Sequence, residues 1–148
     1  MSQINLLDLI CEKVKNLKAY QVETVDSGIK LHANENPYPP STELKSLILA
    51  HLENLDLNRY PDPDCKNLKK AISNRLGVST DQLVIGNGSD ELIQYLMQVF
   101  CDDGDTVTFP EPTFAMYSIL AKGMGLNAQT FELDNKWDFE AKSIMQKL

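Results

Sequence analysis

The residues with the clearest capacity for chemistry are 86–91, GNGSDE, which follow an apolar run and lead into a predicted helix. The first N–H groups of a helix lack partners within the helix, and the helix dipole favours an anion there. Gly88 allows close approach to the backbone, and the Ser89 hydroxyl adds a donor. Asp90 and Glu91 suit the dipole but repel an anion unless they point away. The segment predicts either a phosphate-binding turn or a plain tight turn between a strand and a helix.

Several other kinds of site are excluded by residue type and spacing. The dinucleotide motif GxGxxG requires glycine at position 91, which is Glu91, and no GK[ST] follows as in a P-loop. His32 and His51 lack neighbours at metal-ligand spacing, so we expect no metal site. The sequence contains three widely spaced cysteines, which favour neither a disulfide framework nor a zinc site: Cys11, Cys65 and Cys101.

Composition narrows the class of protein. The 148 residues are 43% hydrophobic and 24% charged, with a net charge of −7, which is typical of a globular domain with a core. The acidic balance disfavours nucleic acid as a partner. The sequence has no run long enough for a membrane helix and no signal-peptide pattern, so we expect a cytoplasmic protein with no membrane partner. Arg59 and Arg75 are the only arginines, which is few for an enzyme that binds anionic substrates.

Hydrophobic periodicity predicts an alternation of helices and strands. We expect an amphipathic helix over 1–19, an irregular arm over 20–40, and helices over 41–55 and from Asp62 to Leu76. Strands and helices then alternate, with strands over 82–85, 105–109 and 127–133 and helices over 91–100, 113–122 and from 138 onward. This order predicts an α/β fold with a mostly parallel sheet. Because such sheets need both faces covered and their edges protected, we expect the chain to be part of a larger domain.

Three further motifs accompany the glycine-containing turn, namely LHANENP at 31–37, NRYPD at 58–62 and PEPTFAMY at 110–117. In this order, the four motifs resemble the N-terminal part of the fold type I pyridoxal-phosphate aminotransferases, and within these the histidinol-phosphate aminotransferases. The resemblance runs from about Leu17 to the end of the chain. It implies an incomplete three-layer αβα sandwich. Residues 41–148 would form the first half of the cofactor-binding large domain, and 1–40 an N-terminal helix and arm belonging to the small domain and substrate entrance.

The resemblance also implies roles for individual residues. Backbone N–H groups of Gly88, Ser89 and Asp90 would hold the phosphate of pyridoxal 5′-phosphate, and Phe114 would stack on its ring. An aromatic face suits a flat, electron-poor ring. Tyr60 would reach across a homodimer interface to the phosphate of the neighbouring cofactor. The residues implied at the substrate entrance are Tyr20, Asn34 and Asn36.

The implied reaction exchanges an amino group between histidinol phosphate and 2-oxoglutarate, giving imidazole-acetol phosphate and glutamate, in histidine biosynthesis. Members of the family carry, further along the chain, a lysine that forms a Schiff base with the cofactor, an acid for the pyridine nitrogen and substrate-binding arginines. None of the twelve lysines here stands in such a context. We therefore expect no catalytic residue in these 148 residues, no transaminase activity from them alone, and weak cofactor binding at most.

Other functions remain open at this point. Threonine-phosphate decarboxylase and the aromatic or broad-specificity aminotransferases share these N-terminal motifs. A truncated, non-catalytic module that dimerises or binds a full-length partner would also carry them.

Overall fold

The structure is a computed structural model that describes residues 5–21, 28–139 and 141–145. The chain forms two compact units, one made of 1–19 with 81–148 and the other of 20–80. The predicted domain boundary at residue 40 stays a prediction.

Within the described residues, short helices outnumber strands. The helices are α1 (Glu12–Lys15), α2 (Thr42–Glu53), α3 (Lys66–Leu76), α4 (Ser89–Phe100), α5 (Met116–Gly123) and α6 (Ala141–Met145). The strands are β1 (Thr106–Glu111) and β2 (Asn127–Glu132). Two 3₁₀ turns cover Leu6–Leu9 and Thr80–Gln82.

The first unit is built on a parallel pair of strands. β1 and β2 align from Thr106 opposite Asn127 to Glu111 opposite Glu132, and α5 is the crossover between them. The predicted α/β fold with a parallel sheet is therefore confirmed. The prediction of a strand over 82–85 was wrong. Residues 80–82 form a 3₁₀ turn, and 83–85 pair with no strand in the described part of the chain. Strand structure depends on hydrogen bonds from a neighbouring strand.

A small core holds α4 and α5 against the sheet. Four apolar side chains are buried here: Met97 in α4, Phe109 in β1, Ala121 in α5, and Leu126 just before β2. Partly buried apolar side chains surround three of them: Ile93, Cys101, Val107, Leu120 and Met124. The core therefore fixes α4 relative to β1, and this matters because α4 begins at the glycine-containing turn.

The N-terminal segment differs from its prediction as one helix over 1–19. Asn5 Oδ1 accepts a hydrogen bond from the Leu7 N–H at 3.2 Å, which starts a 3₁₀ turn instead. Cys11 is extended and separates that turn from the single turn of α1. So short a helix is marginal by itself, and α1 packs against α5, where Lys13 Nζ donates to the Met124 carbonyl at 3.4 Å. Residues 1–4 of the predicted helix lie outside the described residues.

The second unit contains α2 and α3. Ser41 Oγ accepts from the Leu44 N–H at 3.2 Å and caps α2, as the sequence predicts. The predicted end of α3 at Gly77 is confirmed, with φ +70°. Its start at Asp62 was wrong, since α3 begins at Lys66. The Asp62 carboxylate instead accepts the Lys66 N–H at 2.9 Å, so it still caps the helix from outside.

Candidate functional site

The start of α4 has a backbone conformation that only glycine adopts readily. Gly88 precedes the helix with φ +84° and ψ 177°, in a region essentially restricted to glycine. A Cβ built on Gly88 would meet no atom within 4 Å, so the backbone is open to an approaching group. The Gly88 N–H donates to the Gly86 carbonyl at 3.0 Å, and the helix then begins at Ser89 and Asp90. The first N–H groups of such a helix face outward and can donate to an anion.

Glu91 is turned back onto the loop that precedes the helix. Its Oε2 accepts a hydrogen bond from the Asn87 N–H, and its Oε1 accepts one from the Tyr95 hydroxyl at 2.7 Å. The Asn87 N–H, followed by the Tyr95 hydroxyl, lowers the pKa of Glu91, and the same carboxylate raises the pKa of Tyr95. Sequence reasoning gave Glu91 no role in the site. A usable signal was present, since an acid at the third helical position often accepts a backbone N–H before the helix.

Phe114 lies in the loop between β1 and α5, with its side chain 41% exposed. Its ring meets the edge of Tyr117 at a centroid distance of 6.4 Å and an angle of 86°. Tyr117 in turn stacks on Phe109 of β1 at 5.8 Å. The ring of Phe114 is therefore supported, through Tyr117, by the buried Phe109 of β1.

Phe114 also lines a cleft of about 460 Å³ at the carboxyl end of β1, together with Glu111, Pro112 and Lys122. A neighbouring cleft of about 490 Å³ lies at the carboxyl ends of both strands, between Glu111 and Glu132. Ligands of open α/β sheets bind outside the carboxyl ends of the strands. This unit thus contains a helix start whose outward N–H groups could donate to an anion, and an aromatic ring beside a cleft of small-molecule size.

Comparison with known proteins identifies the family. The model of aminotransferase class I and II matches residues 26–148. The chain belongs to the class I and II aminotransferases.

This aminotransferase chain is similar to several histidinol-phosphate aminotransferases. It is 39% identical over 138 residues to the histidinol-phosphate aminotransferase of Aquifex aeolicus, covering 93% of this chain and 39% of the relative. It is 34% identical over 140 residues to that of a Hydrogenobaculum species, covering 95% and 40%. The chain thus spans about 40% of the length of these curated relatives. The resemblance drawn from the four motifs is confirmed.

A solved structure shares the fold of this aminotransferase chain. The crystal structure of histidinol-phosphate aminotransferase from Sinorhizobium meliloti, in complex with pyridoxal-5′-phosphate, superposes with a TM-score of 0.63 at 24% identity. The match covers 70% of this chain and 28% of that one. It supports the predicted assignment to part of a fold type I domain.

The remaining site residues predicted for the aminotransferase lie in the second unit. Tyr60 is fully exposed and Tyr20 is half exposed. Asn34 has φ +50°, and Asn36 Oδ1 accepts the Tyr38 N–H at 3.0 Å, which closes a local turn. The roles of Tyr60 at a dimer interface and of Tyr20, Asn34 and Asn36 at a substrate entrance stay predictions.

The described part of the aminotransferase chain contains neither a cluster of metal-binding side chains nor a membrane-crossing helix. Over 5–21, 28–139 and 141–145, no three side chains of metal-binding type lie together. None of the described helices has the length and apolar character needed to cross a bilayer.

Proposed function

We propose that this protein acts in pyridoxal-phosphate-dependent transamination, with the start of α4 holding the cofactor phosphate and Phe114 contacting the cofactor ring. The observation that carries the proposal is the Gly88 turn, which opens a helix without a side chain over its N–H groups. Membership of the aminotransferase family and the motif order add independent support.

The residues present fit the cofactor on structural grounds. A phosphate needs donors and room. The N–H groups of Ser89 and Asp90 would be the donors, and Gly88 gives the room because a Cβ there would meet nothing within 4 Å, although its own N–H is already bonded to the Gly86 carbonyl. An electron-poor ring needs an exposed aromatic partner, which Phe114 provides beside its cleft. Glu91 does not oppose this, since both of its oxygens are engaged by Asn87 and Tyr95. When bound, pyridoxal phosphate supplies an electron sink for the bonds at the substrate α-carbon.

The contribution of these residues is binding and orientation. The N–H groups of Ser89 and Asp90 would anchor the phosphate by charge-assisted hydrogen bonds, which are stronger than neutral ones. Phe114, held by Tyr117, would fix the plane of the ring. With one end anchored and one face covered, the ring is restricted in both position and tilt, which favours the reactive geometry.

The proposed substrates are histidinol phosphate and 2-oxoglutarate, in histidine biosynthesis, and the proposed assembly is a cytoplasmic homodimer. The names of the relatives from Aquifex aeolicus and Hydrogenobaculum support this choice. In the dimer, Tyr60 would contact the cofactor phosphate of the neighbouring subunit, which agrees with its complete exposure. Tyr20, Asn34 and Asn36 would line the substrate entrance.

We further propose that the 148 residues do not transaminate alone, since no lysine among them stands in a catalytic context. Titration of the chain with pyridoxal phosphate should give weak, saturable binding. After borohydride treatment, mass spectrometry should find no stoichiometric lysine adduct. Such an adduct would contradict the inactivity proposed for this chain. Extending the chain to the length of its relatives and assaying histidinol phosphate beside threonine phosphate would then separate transamination from decarboxylation.

A further inference from the structure

We propose that Glu91 is a positioning residue, which ties the loop before α4 to the helix and thereby sets the direction of the anion-binding N–H groups. This inference rests on the proposed function, because it concerns the same helix start. It adds a residue that neither contacts the phosphate nor takes part in the chemistry.

The need for such a tie follows from the loop itself. Asn87 stands between Gly86 and Gly88, and glycine restricts the backbone less than any other residue. The direction of the first helical N–H groups depends on how this flexible segment enters α4. Two hydrogen bonds are described for this segment. The Gly88 N–H donates to the Gly86 carbonyl, within the loop, and the Asn87 N–H donates to the Glu91 carboxylate. Of these two hydrogen bonds, the one to Glu91 joins the loop to the helix.

The carboxylate of Glu91 is itself held in place. Its second oxygen accepts the Tyr95 hydroxyl at 2.7 Å, one helical turn further along α4. The side chain therefore spans from Asn87, before the helix, to Tyr95 in its second turn. A carboxylate fixed at both oxygens restrains the loop more than one that is free to rotate.

Gly86 is consistent with the same arrangement. Its φ is not among the positive values found at five other glycines, so its backbone angle does not require glycine. A Cβ at this position would instead lie 2.9 Å from Glu91 Oε2 and 2.9 Å from Leu92 Cδ2. Glycine at 86 thus leaves the space that the Glu91 carboxylate occupies.

Positioning and simple electrostatics predict opposite effects on anion binding. Glu91 carries a negative charge near the helix start, so by charge alone its removal should strengthen binding. If Glu91 positions the N–H groups, Glu91→Ala should weaken binding although the charge is gone. Glu91→Gln removes the charge but keeps an oxygen for the Asn87 N–H, so it should bind at least as well as wild type.

The test uses the full 148-residue chain, labelled with ¹⁵N and titrated first with inorganic phosphate and then with pyridoxal phosphate. Amide shifts of Ser89 and Asp90 report binding, and thermal unfolding reports stability. We expect Glu91→Ala to weaken phosphate binding about tenfold, the equivalent of one charge-assisted hydrogen bond. Tyr95→Phe should weaken it less, and Glu91→Gln should not weaken it. The matched control is Glu43→Ala, which removes an acid from the first turn of α2 and should leave binding unchanged.

Each outcome of this titration decides a different point. If wild type shows no shifts at Ser89 and Asp90, the phosphate site under the proposed function is wrong. If wild type binds and Glu91→Ala binds equally well or better, the site stands and the positioning role of Glu91 is wrong. If Glu91→Ala does not fold, the comparison of Tyr95→Phe with Glu91→Gln decides, since positioning requires the first to be the weaker binder. A Glu91→Gln variant that binds as poorly as a folded Glu91→Ala would also overturn the proposal.

Discussion

Replacing Gly88 by alanine separates the backbone requirement of the helix start from every contact around it. A Cβ at this position would meet no atom within 4 Å, so the substitution causes no steric clash. Its whole cost comes from φ +84° and ψ 177°, which a residue with a side chain rarely adopts. Conformations of this kind cost about 1–3 kcal/mol each in non-glycine residues. For a chain of this size, each kcal/mol lowers the melting temperature by about 2–4 °C.

The expected result is therefore a melting temperature that falls by about 6 °C, from the middle values of both ranges, together with a loss of phosphate binding. Binding should weaken because alanine relaxes toward negative φ, which redirects the N–H groups of Ser89 and Asp90. Circular dichroism follows the unfolding, and amide shifts follow the binding. Gly104→Ala is the matched control, since Gly104 has φ +91° and equally open space but lies in the turn before β1.

Two results would refute this reasoning. If Gly88→Ala melts as wild type does, the positive φ is not required. If Gly104→Ala weakens phosphate binding as much as Gly88→Ala does, the effect is general destabilisation and not the orientation of the α4 N–H groups. The contrast between the two glycines therefore carries more weight than either variant alone.

Three further predictions concern the core, the cofactor ring and acid stability. Met97→Ala should lower the free energy of unfolding by about 2–5 kcal/mol in urea titrations, because Met97 is 5% exposed and a cavity would remain; a near-neutral effect would contradict its place in the core. Phe114→Leu should weaken pyridoxal phosphate binding about 2- to 10-fold while phosphate binding is unchanged; equal losses for both ligands would contradict ring contact. Because hydrogen bonds lower the pKa of Glu91 in the folded protein, its carboxylate stabilises the fold above pH 4.5, and this stabilisation is lost as the pH falls through the folded-state pKa. On acidification, the melting temperature of Glu91→Gln should therefore fall less than that of wild type.

Predictions from the sequence succeeded where local signals and burial agreed. Ser41 followed by an apolar stripe placed α2, and Gly77 placed the end of α3. The strands β1 and β2 were placed within two residues, because each is a short segment bounded by turn residues. In each case the nearest neighbours in the sequence also decide the structure.

The predictions failed where distant partners or competing local contacts decide. The apolar residues before Gly86 read as a strand, but a strand also needs a hydrogen-bonded neighbour, and 83–85 have none among the described residues. The apolar spacing over 1–19 read as one helix, but Asn5 caps a separate 3₁₀ turn and Cys11 is extended. The Asn5 side-chain cap competes with a continuous helix, and periodicity alone does not account for it.

The candidate site shows the same division between what spacing reveals and what it leaves open. The local sequence at Gly88 and Ser89 predicts either an anion-binding turn or a plain tight turn, and the choice between them came from the order of the four motifs. The sequence does not decide the direction of the Glu91 side chain, which could face the anion or point away from it. In the structure the carboxylate accepts the Asn87 N–H and the Tyr95 hydroxyl, and Gly86 leaves room for it there. The Glu91 carboxylate, an acid that would repel the phosphate, is thereby held against the loop before α4. The two glycines differ in what they contribute. Gly86 leaves room for Glu91, and Gly88 gives the turn its backbone angle.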